Sequence, residues 1–306
     1  MSLNNLSHCL SDLGHHKDAL AAIQEAVKFH RKLAADRPAA FNPDLATSLN
    51  NLSHCLSDLG HHEDALATIQ EAVEFCRKLA ADRPAAFNPN LATSLNNLCL
   101  CLSDLGHQED ALTAIQEAVE LYRKLAADRP AAFNPHLATS LNNLSLCLFE
   151  LGCREDALVA IQEAVEFRQK LAADRPAAFN PDLATSLNNL SLRLSDLGCR
   201  EDALTAIQKA VELYRKLAAD RPVAFNPDLA LSLNNLSLCL SYLGHQEDAL
   251  DAIQEAVEFC RKLAADRPAA FNQNLALSLN NLSRCLSDLG HQEDALAALQ
   301  EAVKLC

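Results

Sequence analysis

The sequence predicts an all-α solenoid of seven helical hairpins, and three observations lead to this prediction. The 306-residue chain repeats itself every 46 residues, its leucines recur at helical spacing within each repeat, and each repeat contains one glycine. A period of roughly 20–50 residues is typical of solenoids, in which each repeat packs against its neighbours.

The motif Ser-Leu-Asn-Asn-Leu opens every repeat and sets its boundaries. It begins at positions 2, 48, 94, 140, 186, 232 and 278. We therefore expect a single array over residues 1–306, with repeats at 2–47, 48–93, 94–139, 140–185, 186–231, 232–277 and a shortened 278–306.

Each repeat is expected to begin its first helix at an Asn-Pro pair, because Asn is a preferred N-cap and Pro suits the first helical position. For the first helix that carries the motif at 94–98, these residues are Asn88 and Pro89, and Gly106 is expected to end the helix with a positive φ. Between them an apolar stripe recurs at spacings of three and four, at Leu91, Leu95, Leu98, Leu102 and Leu105.

A second helix is expected from about Gln108 to Asp128, because Arg129 precedes Pro130 and is pushed out of the α region. The segment 130–133 is then a linker that ends in a phenylalanine. The equivalent linkers of other repeats also end in a phenylalanine, and we expect the six rings to fill the gaps between successive hairpins. They are Phe41, Phe87, Phe133, Phe179, Phe225 and Phe271.

The net charge and the apolar runs indicate which classes of partner the chain is expected to bind. The net charge is −14, and no basic stripe is visible, so we expect no nucleic-acid partner. No run of about 20 apolar residues is present, so we expect no membrane partner. A neutral to basic peptide with apolar side chains fits this balance better.

The twelve cysteines do not suggest a disulfide framework. Six of them hold one equivalent position in different repeats, and packed helices are about 8–10 Å apart, further than the roughly 7 Å that a disulfide allows between Cα atoms. We interpret them as reduced, half-buried small residues in a reducing, cytoplasmic compartment, with a redox role as the alternative. The six are Cys9, Cys55, Cys101, Cys147, Cys239 and Cys285.

The repeat resembles the tetratricopeptide repeat, in its long kinesin-light-chain-like form with the Leu-Asn-Asn-Leu motif. The residues that carry the resemblance in the second repeat are Leu49, Leu52, Ser53, Leu56, Gly60, Ala65, Ile69 and Ala72. The resemblance covers the whole chain and implies a right-handed α-α superhelix. It also implies a non-catalytic module that binds a protein or peptide segment in a concave groove.

A helical wheel of the first helix places the asparagine pairs on the side that lines this groove in the family. Amides offer both donors and an acceptor, so a ladder of them can pair with the backbone of an extended peptide. The expected ladder is Asn50, Asn51, Asn96, Asn97, Asn142, Asn143, Asn188, Asn189, Asn234 and Asn235. The alternative is that one asparagine of each pair braces a neighbouring helix.

Apolar side chains are expected on the same side in the central repeats, as a second part of the peptide-binding site. They are Leu100, Leu146, Leu192 and Leu238, with Phe149 and Tyr242 nearby. Exposed apolar surface often marks a binding site, although these leucines would be half-covered if they lean against the next repeat. Acidic side chains on this side favour a basic ligand: Asp12, Asp58, Asp104, Glu150, Asp196 and Asp288.

We expect no enzymatic activity, no cofactor and no metal. No Ser/His/Asp set, Gly-rich phosphate loop or carboxylate pair stands out from the repeat. The competing hypothesis is a structural or oligomerisation scaffold, in a fragment of a larger protein that carries an effector domain. Neither end has an atypical capping repeat, so end-to-end self-association is possible in that case.

Overall fold

A computed structural model describes residues 3–305, apart from the side chain of Asp12. The predicted repeat start at Ser2, the chain end at Cys306 and the acidic side chain of Asp12 therefore lie outside the described residues. The described part contains helices and no strand, which confirms the all-α class. The helices are α1 Leu3–Asp12, α2 His16–Asp36, α3 Pro38–Asp58, α4 His62–Asp82, α5 Pro84–Asp104, α6 Gln108–Asp128, α7 Pro130–Glu150, α8 Arg154–Asp174, α9 Pro176–Asp196, α10 Arg200–Asp220, α11 Pro222–Tyr242, α12 Gln246–Asp266, α13 Pro268–Asp288 and α14 Gln292–Val303.

The helices form two compact units, one that ends at Cys153 and one that begins at Arg154. Unit 1 holds α1–α7 and unit 2 holds α8–α14. Within each unit every helix packs against the next helix along the chain. The odd-numbered helices also touch one another within a unit, α1 with α3, α3 with α5 and α5 with α7 in unit 1, and α9 with α11 and α11 with α13 in unit 2. This contact brings equivalent residues of successive repeats together on one face.

The first helix of each repeat begins five residues earlier than the sequence predicted. The helix α5 begins at Pro84, so Asn88 is not its N-cap and Pro89 lies inside it. Arg83, which precedes Pro84, has φ −140° and ψ 74°, outside the α region, and its carbonyl accepts from the backbone N–H of Phe87 at 3.2 Å. The segment 130–133 is likewise the first turn of α7 and not a linker.

The seventh repeat shows which proline sets the boundary. It carries Gln273 where the other first helices have their second proline, yet α13 still begins at Pro268. The boundary between the two helices is therefore set by the Arg-Pro pair and not by the second proline. The second proline costs the helix one backbone hydrogen bond, which the packing of the helix tolerates.

Gly106 ends α5 as predicted. Its φ is +78°, and the N–H of His107 reaches back to the carbonyl of Leu102 at 2.9 Å. This is the bond of a Schellman motif, which satisfies a carbonyl that the end of the helix would otherwise leave without a partner. The second helix then begins at Gln108 and ends at Asp128, as the sequence predicted.

The core of each unit is built from the predicted stripes. Leu95 of α5 and Ile115 of α6 are fully buried. Phe87 packs between hairpins, against a cluster that includes Val73 of α4 and Leu91 of α5. This contact confirms the packing role predicted for the phenylalanines.

Two features of the repeat were not predicted from the sequence. The guanidinium of Arg83 lies 4.9 Å from the centroid of the Phe87 ring, and the equivalent arginines lie over Phe133, Phe179, Phe225 and Phe271. Ion pairs also join successive second helices at a separation of 40 residues: Arg31 with Glu71, Arg77 with Glu117, Arg215 with Glu255 and Arg261 with Glu301.

We expect Gly106→Ala to lower the free energy of unfolding by about 1–2 kcal/mol, because a residue with a Cβ is strained at positive φ. An added Cβ would meet no atom within 4 Å, so the cost is one of backbone conformation alone. Urea unfolding followed by circular dichroism measures the change. The matched control is Gln108→Ala in the next helix, and an equal loss in both variants would contradict the prediction.

Candidate functional site

The predicted groove side of the first helices is the side that the fold leaves uncovered in unit 1. Leu100 of α5 is 43% exposed and Leu146 of α7 is 38% exposed, whereas Leu95 and Leu141 on the same two helices are buried. Two large apolar side chains therefore lie at the surface on neighbouring helices, at equivalent positions of successive repeats.

The equivalent residues of unit 2 are more covered. Leu192 of α9 and Leu238 of α11 are half-buried, as is Phe149 in unit 1. Tyr242, at the end of α11, is exposed, and the guanidinium of Arg200 lies 5.7 Å from its ring centroid. Of the four predicted leucines, Leu100 and Leu146 are thus the exposed ones.

The first asparagine of several pairs lies between neighbouring first helices. The amide of Asn50 donates to the carbonyl of Ala46 at 3.0 Å and to Ser94 Oγ of the next repeat at 2.7 Å. Asn234 in unit 2 makes the same two bonds, to Ala230 and Ser278, and is only 4% exposed. These amides brace the stack, which was the alternative that the sequence left open for one member of each pair.

The second asparagine is half-buried in every pair after the first, and in several pairs it donates to an asparagine of the preceding repeat. Asn97 Nδ2 donates to Asn50 Oδ1 at 3.1 Å, and Asn143 Nδ2 donates to Asn96 Oδ1 at 3.2 Å. Asn235 makes the equivalent bond to Asn188 in unit 2 at 3.0 Å. Each of these bonds uses one donor of an amide that has two donors and an acceptor.

Shallow pockets lie between the first helices of unit 1. A pocket of about 300 Å³ between α3 and α5 is lined by Asn97, Leu100, His54, Asp58 and Asp104, among others. Another of about 290 Å³, between α1 and α3, includes Asn51 in its lining. The sequence-predicted amide, apolar and acidic residues are thus brought together in unit 1.

The acidic side chains at these pockets are exposed and partly engaged. Asp104 Oδ2 accepts from Ser57 Oγ at 3.1 Å and lies 3.4 Å from His62 Nδ1. His54 Nδ1 lies 3.6 Å from Asp58 Oδ1. The two histidines carry charge only when protonated, so the face is acidic when they are neutral.

One variable position in the second helix was missed in the sequence. Equivalent residues there contact a neighbouring first helix. His30 Nδ1 lies 2.7 Å from Ser48 Oγ of the following helix α3, and Tyr122 Oη lies 2.7 Å from Thr93 Oγ1 of the preceding helix α5. In unit 2 the buried Arg168 donates to the carbonyl of Asp182 at 2.8 Å, and burial lowers the pKa of its guanidinium. The residues differ in chemistry, but each reaches a hydroxyl or carbonyl of the neighbouring helix, so the position serves packing.

The eleven cysteines in the described residues are free thiols, and five of the six at the equivalent position are buried while Cys9 is exposed. Burial raises the pKa of Cys101 to about 11. One contact was missed: Cys99 Sγ and Cys147 Sγ are 3.3 Å apart. The residues are 48 positions apart, one repeat plus two, so a comparison of equivalent positions alone does not pair them. No cluster of three or more metal-ligating side chains occurs in the described part of the chain.

We expect Asn234→Ala to lower the free energy of unfolding by about 1–3 kcal/mol, because it leaves buried polar partners unsatisfied. Asn235→Ala removes one bond at a half-buried site, and we expect it to cost less, about 0.5–1.5 kcal/mol. Urea unfolding of both variants measures the difference. Equal costs would show that the first asparagine is not the brace.

None of the helices in the described residues is both long and apolar enough to cross a membrane. A search of curated protein sequences finds no match. Among solved structures, the apo form of RapI is similar with a TM-score of 0.69 and 14% identity, covering 99% of this chain and 96% of RapI. BtubC from P. vanneervenii is similar with a TM-score of 0.66 and 18% identity, covering 82% of this chain and 92% of that one.

A third similar structure is that of Podosopora anserina putative kinesin light chain nearly identical TPR-like repeats. Its TM-score is 0.55 at 15% identity, and the match covers 72% of this chain and 96% of that one. At such identities the three likenesses show the fold alone. A family model described as Tetratricopeptide repeat matches residues 1–38, 45–84, 91–130, 137–176 and 275–306, and a second model with that description matches residues 182–262. The chain therefore belongs to the tetratricopeptide-repeat family.

Proposed function

We propose that the chain is a non-catalytic module of a reducing, cytoplasmic compartment that binds a peptide segment of another protein on unit 1. The binding surface, called here the unit 1 face, comprises Asn51, Asn97, Asn143, Leu100 and Leu146. The observation that carries the proposal is the exposure of Leu100 and Leu146 on neighbouring helices, 43% and 38%, beside these amides. Exposed apolar side chains framed by polar groups are typical of protein interaction sites.

The spacing of the helices suggests the conformation of the ligand. Packed helices lie roughly 8–10 Å apart, and α5 and α7 are in contact. A polyproline-II segment has three residues per turn and a rise of about 3.1 Å, so it repeats its face about every 9 Å. Apolar ligand side chains three positions apart would then meet Leu100 and Leu146 in turn.

The charges near the unit 1 face favour a neutral to basic ligand. Asp104 and Glu150 are exposed near the two leucines on the same helices. A Lys or Arg next to an apolar ligand residue would lie close to these carboxylates. The pairing would add mainly to association rate and selectivity, because exposed ion pairs are worth little in affinity.

We expect Leu100→His with Leu146→His to weaken peptide binding by about tenfold or more, since a buried leucine side chain is worth roughly 1.5–3 kcal/mol. His54 occupies the equivalent place in α3, so the variant retains a residue that this repeat accommodates. A library of peptides with apolar residues at i and i+3, or at i and i+2, is screened by fluorescence anisotropy against the full chain.

Two controls separate the face from the rest of the surface. Asn97→Ala with Asn143→Ala should weaken the same peptides, and Lys124→Ala, on an exposed side of α6, should leave them unchanged. Binding that is unaffected by the leucine and asparagine variants would refute the proposed face. If peptides with the i, i+2 spacing bind more tightly, the polyproline-II conformation of the ligand is refuted and the unit 1 face is not.

A second candidate function, an end-to-end scaffold, is favoured by an apolar strip on α14. Leu296, Leu299 and Val303 there are 56%, 42% and 75% exposed and line a pocket of about 420 Å³. Val257, the equivalent of Val303 in α12, is only 2% exposed and packs in a cluster with Leu275 and Leu279 of α13. A second copy of the chain carries the same type of first helix in α1, with Leu6 exposed, and this copy is the proposed occupant.

We expect the weight-average mass in sedimentation equilibrium to rise with protein concentration, because such a contact joins unlike faces and can propagate. Val303→Glu should abolish the rise by placing a charge in the strip. The control is Val159→Glu, an exposed valine of α8. A monomer at every concentration would refute the scaffold and leave the peptide-binding proposal standing.

A further inference from the structure

Two thiols meet between α5 and α7 in unit 1. Cys99 Sγ and Cys147 Sγ are 3.3 Å apart, and both side chains are buried. At the equivalent contacts a serine replaces the first cysteine: Ser7 Oγ lies 3.6 Å from Cys55 Sγ, and Ser237 Oγ lies 3.5 Å from Cys285 Sγ. The third repeat thus converts a structural serine–cysteine contact into a dithiol.

The surroundings make the two thiols unequal. The hydrogen bond from Cys99 lowers the pKa of the Cys147 thiol, and the hydroxyl of Ser103, 3.8 Å away, adds to this effect. The same hydrogen bond, together with burial, raises the pKa of Cys99. Since the thiolate is the reactive form, Cys147 is the better nucleophile and Cys99 remains the thiol beside it.

We propose that Cys99 and Cys147 form a dithiol site that a small peroxide oxidises to a disulfide joining α5 to α7. The Cys147 thiolate attacks one oxygen of hydrogen peroxide. The O–O bond breaks, hydroxide leaves, and Cys147 becomes a sulfenic acid. Cys99 Sγ then attacks Cys147 Sγ, and the S–O bond breaks as the S–S bond forms. The two thiol protons end in two water molecules, and peroxide takes both electrons.

The general spacing of packed helices argues against a disulfide between equivalent positions, but Cys99 and Cys147 are offset by two residues and their sulfur atoms are already in contact. A disulfide is about 2.05 Å long, so the sulfurs must approach by roughly 1.3 Å from their present 3.3 Å. Ser103 Oγ lies 3.8 Å from Cys147 Sγ, and Ser103 is half-buried, so the proposal has the small hydrogen peroxide molecule approach the thiolate from this side.

The bond would tie together the two helices that carry Leu100 and Leu146. It would fix their separation and so tune the unit 1 face for one ligand spacing. This consequence rests on the proposed peptide-binding function, whereas formation of the disulfide does not.

The test treats the folded full chain with hydrogen peroxide, blocks remaining thiols with N-ethylmaleimide and maps the peptides by mass spectrometry. We expect a linked Cys99–Cys147 peptide, and a rise in Tm that dithiothreitol reverses. The oxidation rate should rise with pH through a range below that of an ordinary thiol, since the pKa of Cys147 is lowered. Cys101 is buried with a raised pKa and should stay reduced, which makes it an internal control.

Two variants exchange cysteine and serine at the position that Cys99 and Ser237 share in their repeats. Cys99→Ser restores the residue of the other repeats and should abolish both the linked peptide and the rise in Tm. Ser237→Cys places a second dithiol opposite Cys285 in unit 2 and should create a new linked peptide. Phenylarsine oxide, a probe for paired thiols, should bind one equivalent less to Cys99→Ser than to the parent chain.

The proposal is overturned if the parent chain yields no linked peptide, or if oxidation stops at a sulfinic acid on Cys147 with Cys99 unmodified. It is also overturned if Cys99→Ser gains the same reversible rise in Tm. Peptide binding that is unchanged in the leucine variants, with the disulfide still forming, would refute the unit 1 face and leave the dithiol standing.

Discussion

Burial of an apolar stripe by the neighbouring helix is the constraint on which each unit depends. Leu95 and Ile115 are fully buried only because α5 and α6 lie against each other and against the helices before and after them. A single hairpin has no other surface on which to bury these side chains, so stability is shared between repeats. The side chains that remain on the outside of this arrangement, such as Leu100, are those that the stacking does not use.

The period and the stripes were enough to predict the helices, the glycine turns and the buried faces, because these follow from local spacing. The start of the first helix was not predicted. Asn88-Pro89 and Arg83-Pro84 both resemble helix starts, and the residue before each proline is restricted in the same way. What decides between them is packing: with the break at Arg83, Phe87 lies on the helix and reaches the core between hairpins. A propensity argument cannot weigh that contact.

The candidate site shows the same difference between features that local spacing predicts and contacts that packing decides. The wheel predicted on which side of the helix the asparagines lie, but their partners depend on how successive first helices align, which the sequence of one helix does not contain. Asn50 contacts Ser94 because α3 and α5 pack against each other at these residues. Cys99 meets Cys147 for the same reason, with an offset of two residues that a comparison of equivalent positions overlooks. Contacts between repeats therefore have to be searched at one period plus or minus a few residues.

The braced asparagines also explain why the unit 1 face can be specific. Asn50 holds Asn97 by a bond of 3.1 Å, so the second amide of the pair is oriented before any ligand arrives. An oriented amide loses less conformational freedom on binding than a mobile one, and this raises affinity without a new contact. The neighbouring position varies within this chain from His54 to Leu100 to Arg284, while the asparagines do not change. In the proposed function, the unit 1 face combines a fixed polar frame, set by the stacking of the repeats, with one variable position per repeat that would set the ligand preference.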